Sequence, residues 1–408
     1  MEDKKGASER LKISKFKLDS LLDITLSINA NLPTEDLLSK YESILRNNLR
    51  IGKILIYKHS GSWECLLNGG FPKQYENIDV EARLLGITEI FFDAPDLGFE
   101  GVDIIIPVYN NNVHLAFVFI GDIDEEGEGM SPVLKHLNFI QTLSSIIIVA
   151  IENIWLFNES LRQEAFKKEL ELAAKMQKML IPDNSQMPIN PKVIVNGFYF
   201  PHYEVGGDYY DCIRLSETKT GICIADVSGK GISAAILMSN FQASLRALFS
   251  AEIDLVTLVK KLNTIVVANA AGEKFITLFV ARYDHETGVL QYVNAAHNPP
   301  VLFNTVTGEI SHLRTSCVGV GMLDEIPCIA QSEYIIRDFT KIVCYTDGLS
   351  ELKYTDGTEI GTKEIVRHIS NNEPVENNIR KMISELGLPH NNPSTFDDVS
   401  IIAADLVR

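Results

Sequence analysis

Apolar residues recur with helical spacing at both ends of the first 157 residues, and strand-like runs lie between them. One amphipathic helix is predicted from Leu18, and Thr34 is placed to cap a second helix. A closing helix is predicted from near Ser131. This order predicts an α+β sensor-type domain over residues 18–157, preceded by a polar, flexible stretch at residues 1–17. The predicted strands between the helices are Lys53–Tyr57, Trp63–Leu67, Ile104–Tyr109 and His114–Gly121.

The closing helix is predicted to continue beyond this domain. Residues 158–180 contain no Gly or Pro and are rich in Glu, Lys, Ala, Leu and Gln, which are good helix formers. We therefore predict a helical linker over residues 158–191, whose helix forms a coiled coil and ends at Ile181–Pro182. An ordinary surface helix is the alternative. The predicted seam consists of Phe166, Leu170, Ala173, Gln177 and Leu180.

From residue 192 to residue 408 the chain is rich in strand-like runs. Strands in two groups, with helices inserted between them, predict a β-sandwich with helices packed outside. The predicted helices are Ser233–Phe249, Leu255–Ala270, Lys363–Ile369 and Val375–Leu386. The predicted strands are Val193–Phe200, Tyr209–Leu215, Gly221–Val227, Phe275–Tyr283, Val289–Asn294, Ile342–Tyr345 and Val399–Ala404.

Composition limits the classes of partner. The chain has 408 residues, 46% of them hydrophobic, and a formal net charge of -17. That charge disfavours nucleic acid or an anionic membrane surface as the main partner. The N-terminus is polar and has no signal-peptide core, and the most apolar run, Ile146–Ile151, is too short to cross a bilayer. We therefore predict a cytoplasmic protein.

The six cysteines indicate a reduced compartment and no cysteine chemistry. None of them forms a CxxC pair, and several lie in apolar strand-like runs, where they are expected to be small core residues. A cysteine-based phosphatase would need a thiolate followed by a phosphate-binding loop that ends in Arg. No cysteine here is followed by such a loop, so that mechanism is excluded.

Four predicted strand ends each carry an acidic residue beside glycine or a small residue. If the four strands are neighbours, these acids meet at one rim of the sandwich, where they would repel one another unless cations hold them. A site with oxygen ligands alone favours Mg²⁺ or Mn²⁺, and two such ions can activate a water towards phosphorus. The segments concerned are Gly206–Asp211, Ala225–Val227, Tyr345–Gly348 and Phe396–Ser400.

The turn after Asp226, Ser228–Gly231, is rich in glycine and leads into a predicted helix. Glycines allow backbone amides to approach an anion, and a helix N-terminus favours negative charge. The segment therefore suits a metal and a phosphate. The alternative for Asp226 is a helix cap.

Five motifs, in this order, closely resemble the bacterial SpoIIE/RsbU-type phosphatases, a branch of the metal-dependent (type-2C, PPM) serine/threonine protein phosphatases. The resemblance covers roughly residues 175–408 and implies an αββα sandwich, which agrees with the pattern above. The motifs are Gly206–Asp211 (GGDYYD), Ala225–Gly231 (ADVSGKG), Asn294–Pro300 (NAAHNPP), Tyr345–Glu351 (YTDGLSE) and Asp397–Ser400 (DDVS).

The resemblance implies two ions, Mn²⁺ or Mg²⁺, and a set of catalytic ligands. Asp208 and Asp226 would bridge the two ions, and the backbone carbonyl of Val227 would be a further ligand. Asp347 and Asp397 would bind the second ion. No other cofactor is implied.

Two acidic residues in these motifs leave alternatives open. Asp398 is an alternative ligand to Asp397, and since neighbouring residues of an extended segment face opposite ways, only one of them is expected to point into the site. Asp211 lies an odd number of residues after Asp208 along a strand, so their side chains should point to opposite faces. We expect it to support the ligands or to be structural.

The sequence also departs from the wider type-2C pattern. Eukaryotic members carry a His directly after the bridging Asp, whereas this chain has Ser228–Lys230 there, and no counterpart of their phosphate-binding Arg is evident. Gly207, Ser228, Gly229 and Lys230 are the candidates for phosphate binding. Lys230 is alternatively a surface lysine at a helix start, and a structural role is expected for His297.

Residues 18–157 resemble a GAF domain in the order of their elements and in the opening and closing helices. GAF domains bind small molecules or only dimerise. The resemblance implies a homodimer through the linker and this domain, and regulation by a small ligand or an upstream signalling protein.

The implied activity is hydrolysis of phosphoserine or phosphothreonine on a regulatory protein. Members of this branch act on an anti-anti-sigma (STAS) protein in partner-switching pathways of stress or development. Movement of the helix Ser233–Phe249 would reposition Asp226 and so switch the site. One alternative is a non-catalytic GAF-linked scaffold that sequesters a phosphoprotein, which the complete acid set disfavours. Another is a nucleotide cyclase, suggested by Gly-Gly-Asp, but the acidic continuation and the alternating βα pattern are missing.

Overall fold

The structure is a computed structural model that describes residues 2–92, 94–110, 113–123, 132–202, 205–354, 357–388 and 397–408. The chain divides into two compact units, Met1–Glu164 and Ala165–Arg408. The division lies within the predicted linker, a few residues beyond the predicted end of the first domain.

The first helix of the first unit begins earlier than the sequence indicated. Helix α1 begins at Glu2 rather than near Leu18, because only Gly6 and no proline interrupts this stretch. Helix α4 is described from Pro132, and the predicted start at Ser131 lies outside the described residues. The helices are α1 (Glu2–Asn29), α2 (Thr34–Ser43), a π-helical turn (Ile44–Asn48), α3 (Val80–Arg83) and α4 (Pro132–Lys178), with 3-10 turns at Lys73–Glu76 and Ala94–Leu97.

A four-stranded antiparallel sheet in the order β2-β1-β4-β3 forms the centre of the first unit. One face packs on the helices through aliphatic residues such as Ile54 and Val118. The other face is covered by aromatic residues, among them Tyr57, Phe99 and Phe119. Successive residues of a strand point to opposite faces of the sheet. Because both faces are covered here, the strand sequences are nearly continuous apolar runs. They are β1 (Ile51–His59), β2 (Trp63–Gly69), β3 (Ile104–Asn110) and β4 (Val113–Ile123).

The second unit contains two five-stranded sheets, in the orders β11-β10-β13-β14-β5 and β12-β9-β8-β7-β6. All of the predicted strands are present; the sequence missed the short strands β10, β11 and β12, which have only three or four residues each. The strands are β5 (Val193–Phe200), β6 (Tyr209–Arg214), β7 (Lys219–Val227), β8 (Ile276–Asp284), β9 (Val289–Ala295), β10 (Val301–Asn304), β11 (Ile310–His312), β12 (Ser332–Ile335), β13 (Thr340–Tyr345) and β14 (Val399–Leu406).

Helices cover the outer face of each sheet. Helices α5 and α6 contact β7, β8 and β9, whereas α9 contacts β5 and β14 of the other sheet and packs on α8. Along β14, Ile402 packs in the core between the sheets and Ile401 packs against α8 and α9. The second unit is therefore a four-layer αββα sandwich, as predicted. The helices are α5 (Ile232–Leu248), α6 (Leu255–Ala270), α7 (Asp347–Ser350), α8 (Gly361–Ile369) and α9 (Val375–Glu385).

One described helical stretch, His136–Lys178, is long and apolar enough to cross a membrane, with a mean hydropathy of 1.6 in its 18-residue window. That stretch is longer than the run Ile146–Ile151 considered from sequence. Composition and length alone are weak evidence for a membrane-spanning helix, because core helices of soluble proteins pass the same test. Ile140 and Ile147 indeed lie in the core of the first unit. The cytoplasmic location stays a prediction.

Candidate active site

The four predicted acid-bearing segments meet at one place in the second unit. Asp208 precedes β6 and Asp226 is near the end of β7 in one sheet; Asp347 follows β13 and Asp397 precedes β14 in the other. The carboxylates of Asp208 and Asp226 are close enough to affect each other's ionisation, and the charges of Asp347 and Asp397 also act on Asp226. The sandwich therefore brings together carboxylates that lie up to 189 residues apart in sequence, the separation of Asp208 and Asp397.

Burial and mutual repulsion both disfavour ionisation of these acids. Asp208 is 2% exposed, and its pKa is raised well above the usual value, first by burial and then by the charge of Asp226. The pKa of Asp226 is raised to about 7, first by burial and then by Asp347 and Asp397. A divalent cation would relieve this repulsion, and a donor set made of oxygen atoms suits Mg²⁺ or Mn²⁺. The residues therefore fit the metal centre that the sequence predicted.

Thr346, which the sequence interpretation did not single out, orients one of these carboxylates. Its buried hydroxyl donates to Oδ2 of Asp208 at 2.8 Å and accepts from the backbone N–H of Ser400 at 2.9 Å. The Asp208 carboxylate is thereby tied to β14 of the opposite sheet. The signal was present in the sequence as the hydroxyl directly before Asp347.

The two adjacent acids Asp397 and Asp398 face different environments. Asp397 is 40% exposed and forms an ion pair of 2.9 Å with Lys230 beside the other acids. Asp398 is 7% exposed and accepts hydrogen bonds from the backbone N–H groups of His202, at 2.9 Å, and Gly207, at 2.7 Å. Because both oxygens of Asp398 are engaged by the loop, this geometry favours Asp397 as the ligand and gives Asp398 the role of holding that loop.

Close packing explains the glycines of the Gly-Gly-Asp loop. A Cβ atom on Gly206 would lie 2.1 Å from Oδ2 of Asp398 and 2.3 Å from the Tyr199 hydroxyl, so a side chain cannot be accommodated there. A Cβ atom on Gly207 would lie 3.0 Å from the carbonyl oxygen of Val227. The Val227 carbonyl is thus directly beside the loop that carries Asp208, and its role as a ligand stays a prediction.

The glycine-rich turn after β7 is fixed by its backbone. Gly229 and Gly231 have φ angles of 81° and 80°, which favour glycine. The Ser228 hydroxyl accepts from the N–H of Phe275 at 2.9 Å, so it is already engaged. Gly231 is the N-cap residue of α5. The alternative that Asp226 caps this helix is therefore wrong, because Asp226 lies five positions before the N-cap residue.

Asp211 has a structural role. It is fully buried on the opposite side of β6 from the acids, where it accepts from the Tyr209 hydroxyl at 2.5 Å and from Nε of Arg246 at 2.7 Å. Arg246 belongs to α5. The ion pair therefore fastens α5, the helix that follows the Asp226 turn, to the sheet.

His297 is also buried beneath the acids. Its ring Nδ1 lies 2.8 Å from the hydroxyl of Thr277, and Thr277 pairs with Asp226 across β7 and β8. Burial lowers the pKa of His297 to about 4, so the ring is neutral near pH 7. A neutral, enclosed imidazole is consistent with the structural role expected from the sequence.

The end of α4 contacts the Gly-Gly-Asp loop directly. The Gln177 amide accepts from the N–H of Gly206 at 3.0 Å and donates to the carbonyl of Gly206 at 2.5 Å. Gln177 is 6% exposed. Its side chain is therefore engaged within the second unit and is not available for the coiled-coil seam, which corrects that position of the predicted seam.

Comparisons with known proteins agree with the sandwich and its motifs. Residues 216–407 match the sequence model of the family described as Stage II sporulation protein E (SpoIIE). The phosphoserine phosphatase RsbU of Bacillus subtilis (strain 168) is 28% identical over 195 residues, 48% of this chain and 57% of RsbU. The phosphoserine phosphatase RsbP of the same organism is 26% identical over 189 residues, 45% of this chain and 46% of RsbP.

A solved structure shares the fold. The SiaA-PP2C domain of Pseudomonas aeruginosa superimposes with a TM-score of 0.52 at 16% identity, covering 60% of this chain and 98% of that domain. The chain spans about half the length of the curated relatives that it matches.

Proposed function

We propose that the protein hydrolyses phosphoserine or phosphothreonine on a regulatory protein, since residues 216–407 match the SpoIIE family model and the motifs resemble those of the SpoIIE/RsbU-type metal-dependent phosphatases. The observation that carries this proposal is the convergence of Asp208, Asp226, Asp347 and Asp397 from four strand ends of two sheets. Such a set of desolvated, mutually repelling carboxylates has a ready explanation as a divalent-metal centre.

Each residue of that centre has a proposed role. Asp208, Asp226, Asp347 and Asp397 would hold the metal ions, together with the backbone carbonyl of Val227. Bound Mn²⁺ or Mg²⁺ supplies Lewis acidity and lowers the pKa of a nucleophilic water. Hydrogen bonds from Thr346 and to Asp398 keep the carboxylates and the Gly-Gly-Asp loop in place before substrate arrives.

Lys230 is the one cation among the candidate phosphate-binding residues, and it pairs with an acid of this centre. Its Nζ lies 2.9 Å from Oδ2 of Asp397, and its side chain is 38% exposed. From this position the ammonium would hold a phosphoryl oxygen of the substrate. Gly207 and Gly229 allow close backbone approach, whereas the Ser228 hydroxyl is already used by Phe275.

The substrate is proposed to be a phosphorylated STAS-type protein of a partner-switching pathway in stress or developmental signalling. The support is the naming of RsbU and RsbP as phosphoserine phosphatases, together with the family resemblance of the motifs. The N-terminal unit is proposed to be a GAF-like sensor for a small ligand or an upstream protein. Its four-stranded antiparallel sheet between opening and closing helices supports this.

The chain is further proposed to form a homodimer through α4 and the GAF-like unit. Apolar side chains lie exposed along α4, and a parallel helix of a second copy would cover them. A change in α4 would reach the metal centre through Gln177 and Gly206. Light scattering should give a dimer mass that falls to the monomer for Phe166→Asp/Leu170→Asp but not for Lys167→Asp on the same helix. A monomer in every case would contradict the dimer.

Phosphate release from a phosphorylated STAS protein tests the function. We expect the full chain to release phosphate with Mn²⁺ and to lose this activity with a chelator. Hydrolysis of p-nitrophenyl phosphate without release from the STAS protein would contradict only the substrate assignment. Binding of the phosphorylated STAS protein without release from either substrate would favour the scaffold.

A further inference from the structure

A cavity of about 800 Å³ lies beside, but outside, the carboxylate cluster. One wall contains Pro299 and Tyr345, which belong to the same two motif segments as His297 and Asp347. The neighbouring Asn298 amide donates to the Ser350 hydroxyl of α7 at 3.3 Å, which ties this wall to the helix that starts at Asp347. The cavity is therefore connected through short, bonded segments to the metal-binding rim.

The polar groups around this cavity are positive or neutral. Arg314, Lys363 and His312 line it, together with the Tyr345 and Thr362 hydroxyls, which lie 3.1 Å apart. Within the described part of the chain, neither Arg314 nor Lys363 has an acidic side chain within ion-pair distance. The cavity therefore carries two exposed, unneutralised cations, although the net charge of the protein is -17.

The acidic residue next to Lys363 does not neutralise the cavity. Glu364 is bonded to Nε of Arg367 at 2.8 Å, and Arg367 also pairs with Glu385. Glu364 is therefore paired with Arg367 and not with Lys363. Lys363 and Thr362 lie in the first turn of α8, whose dipole adds to the positive potential.

We propose that this cavity binds an acidic segment of the protein substrate, next to the phosphorylated residue. The inference rests on the proposed phosphatase function. Apolar contacts from Pro299 and Val366 suit a peptide, while Arg314 and Lys363 would bind its carboxylates. A local positive site of this kind offsets the repulsion that a strongly acidic enzyme exerts on an acidic substrate.

The test compares two phosphoserine peptides, one with glutamates on both sides of the phosphoserine and one with glutamines there. For the full chain with Mn²⁺, we expect kcat/KM to be about tenfold or more higher for the glutamate peptide. Arg314→Ala/Lys363→Ala should abolish this preference and leave p-nitrophenyl phosphate turnover unchanged. Arg314→Lys should retain the preference, as should the matched control Lys260→Ala on α6, and added salt should weaken it.

Equal kcat/KM for the two peptides with the unaltered chain would overturn the inference, and so would a preference that persists in the double variant. Fluorescence anisotropy of the labelled glutamate peptide separates this failure from that of the phosphatase proposal. Binding that is lost in the double variant, without turnover of any substrate, would support the cavity and contradict the phosphatase. Neither binding nor turnover would contradict both.

Discussion

The central sheets of the two units are used differently. In the first unit both faces of the sheet are covered by apolar residues, aliphatic on the helical side and aromatic on the other. In the second unit the faces are also largely apolar, although Asp211 is buried against one of them, and the strand ends carry Asp208, Asp226 and Asp347 in a buried or half-buried cluster. Stability is thus expected to come from the faces in both units, and chemistry from the strand ends of the second unit alone.

This difference between the two units explains why the sequence indicates the function of the second unit more clearly than that of the first. A metal site needs defined residue types at defined strand ends, so it leaves motifs that can be recognised. The core of the first unit, filled by Tyr57, Phe99 and Phe119, needs only apolar residues of suitable size, and many sequences satisfy that requirement. Changes in the two regions should therefore separate activity from stability.

The largest effect is expected from Asp226→Asn. Loss of this carboxylate should reduce metal-dependent turnover of p-nitrophenyl phosphate by about 10³-fold or more, since the acids act as one unit. The fold should remain, because one desolvated, repelled charge is removed. Circular dichroism checks the fold, and the exposed Asp324→Asn is the matched control. Turnover near that of the unaltered chain would refute the metal assignment.

A smaller loss of activity is expected from Asp398→Ala. The N–H groups of His202 and Gly207 would lose their acceptor, and the loop that carries Asp208 would become less well positioned. We expect Mn²⁺ affinity or turnover to fall by about 10- to 100-fold. Asp398→Asn keeps one acceptor and should lose less. A complete loss of Mn²⁺ binding in both variants would indicate instead that Asp398 is itself a ligand.

Phe119→Ala should affect stability in the first unit and not the chemistry. The ring is fully buried and contacts Phe99 at 5.5 Å and Tyr57 at 6.3 Å between centroids. Truncation should cost about 3–5 kcal/mol of unfolding free energy for that unit. Below the transition, p-nitrophenyl phosphate turnover should stay within about twofold. Denaturant unfolding, with the 46% exposed Phe92→Ala as control, measures this.

The smallest effect is expected from Arg246→Ala. The change leaves the buried Asp211 without its cation, which is destabilising, but Arg246 is 49% exposed and solvent screens the pair. We expect a loss of about 1–2 kcal/mol in the second unit, with a smaller loss for Arg246→Lys. An equal loss in both variants would mean that packing by the guanidinium, and not the charge, fastens α5.

The sequence predicted most of the strands and the acid cluster because apolar runs and strand-end motifs are local signals. It missed the strands β10, β11 and β12, which are too short to show a period. It also missed Thr346, Asp398 and Gln177 as positioning groups. Their partners lie 138, 191 and 29 residues away in sequence, so only the fold brings them together.

The coiled-coil seam shows a further limit of sequence patterns. Heptad spacing placed Gln177 at the seam, whereas its amide binds Gly206 within the second unit. The helical period shows only that such a residue lies on the same face of the helix as its neighbours. It does not show which part of the protein packs against that face. The pattern alone therefore cannot separate a partner helix from the domain's own loop.

The most direct test of the central claim is the rate of p-nitrophenyl phosphate hydrolysis by the full chain across a Mn²⁺ titration. The proposed metal centre predicts turnover that rises with Mn²⁺ to saturation and disappears with chelator. It also predicts that Asp208→Asn, Asp347→Asn and Asp397→Asn are each strongly impaired. Turnover that is indifferent to Mn²⁺ and to chelator, or that survives in all three variants, would contradict it.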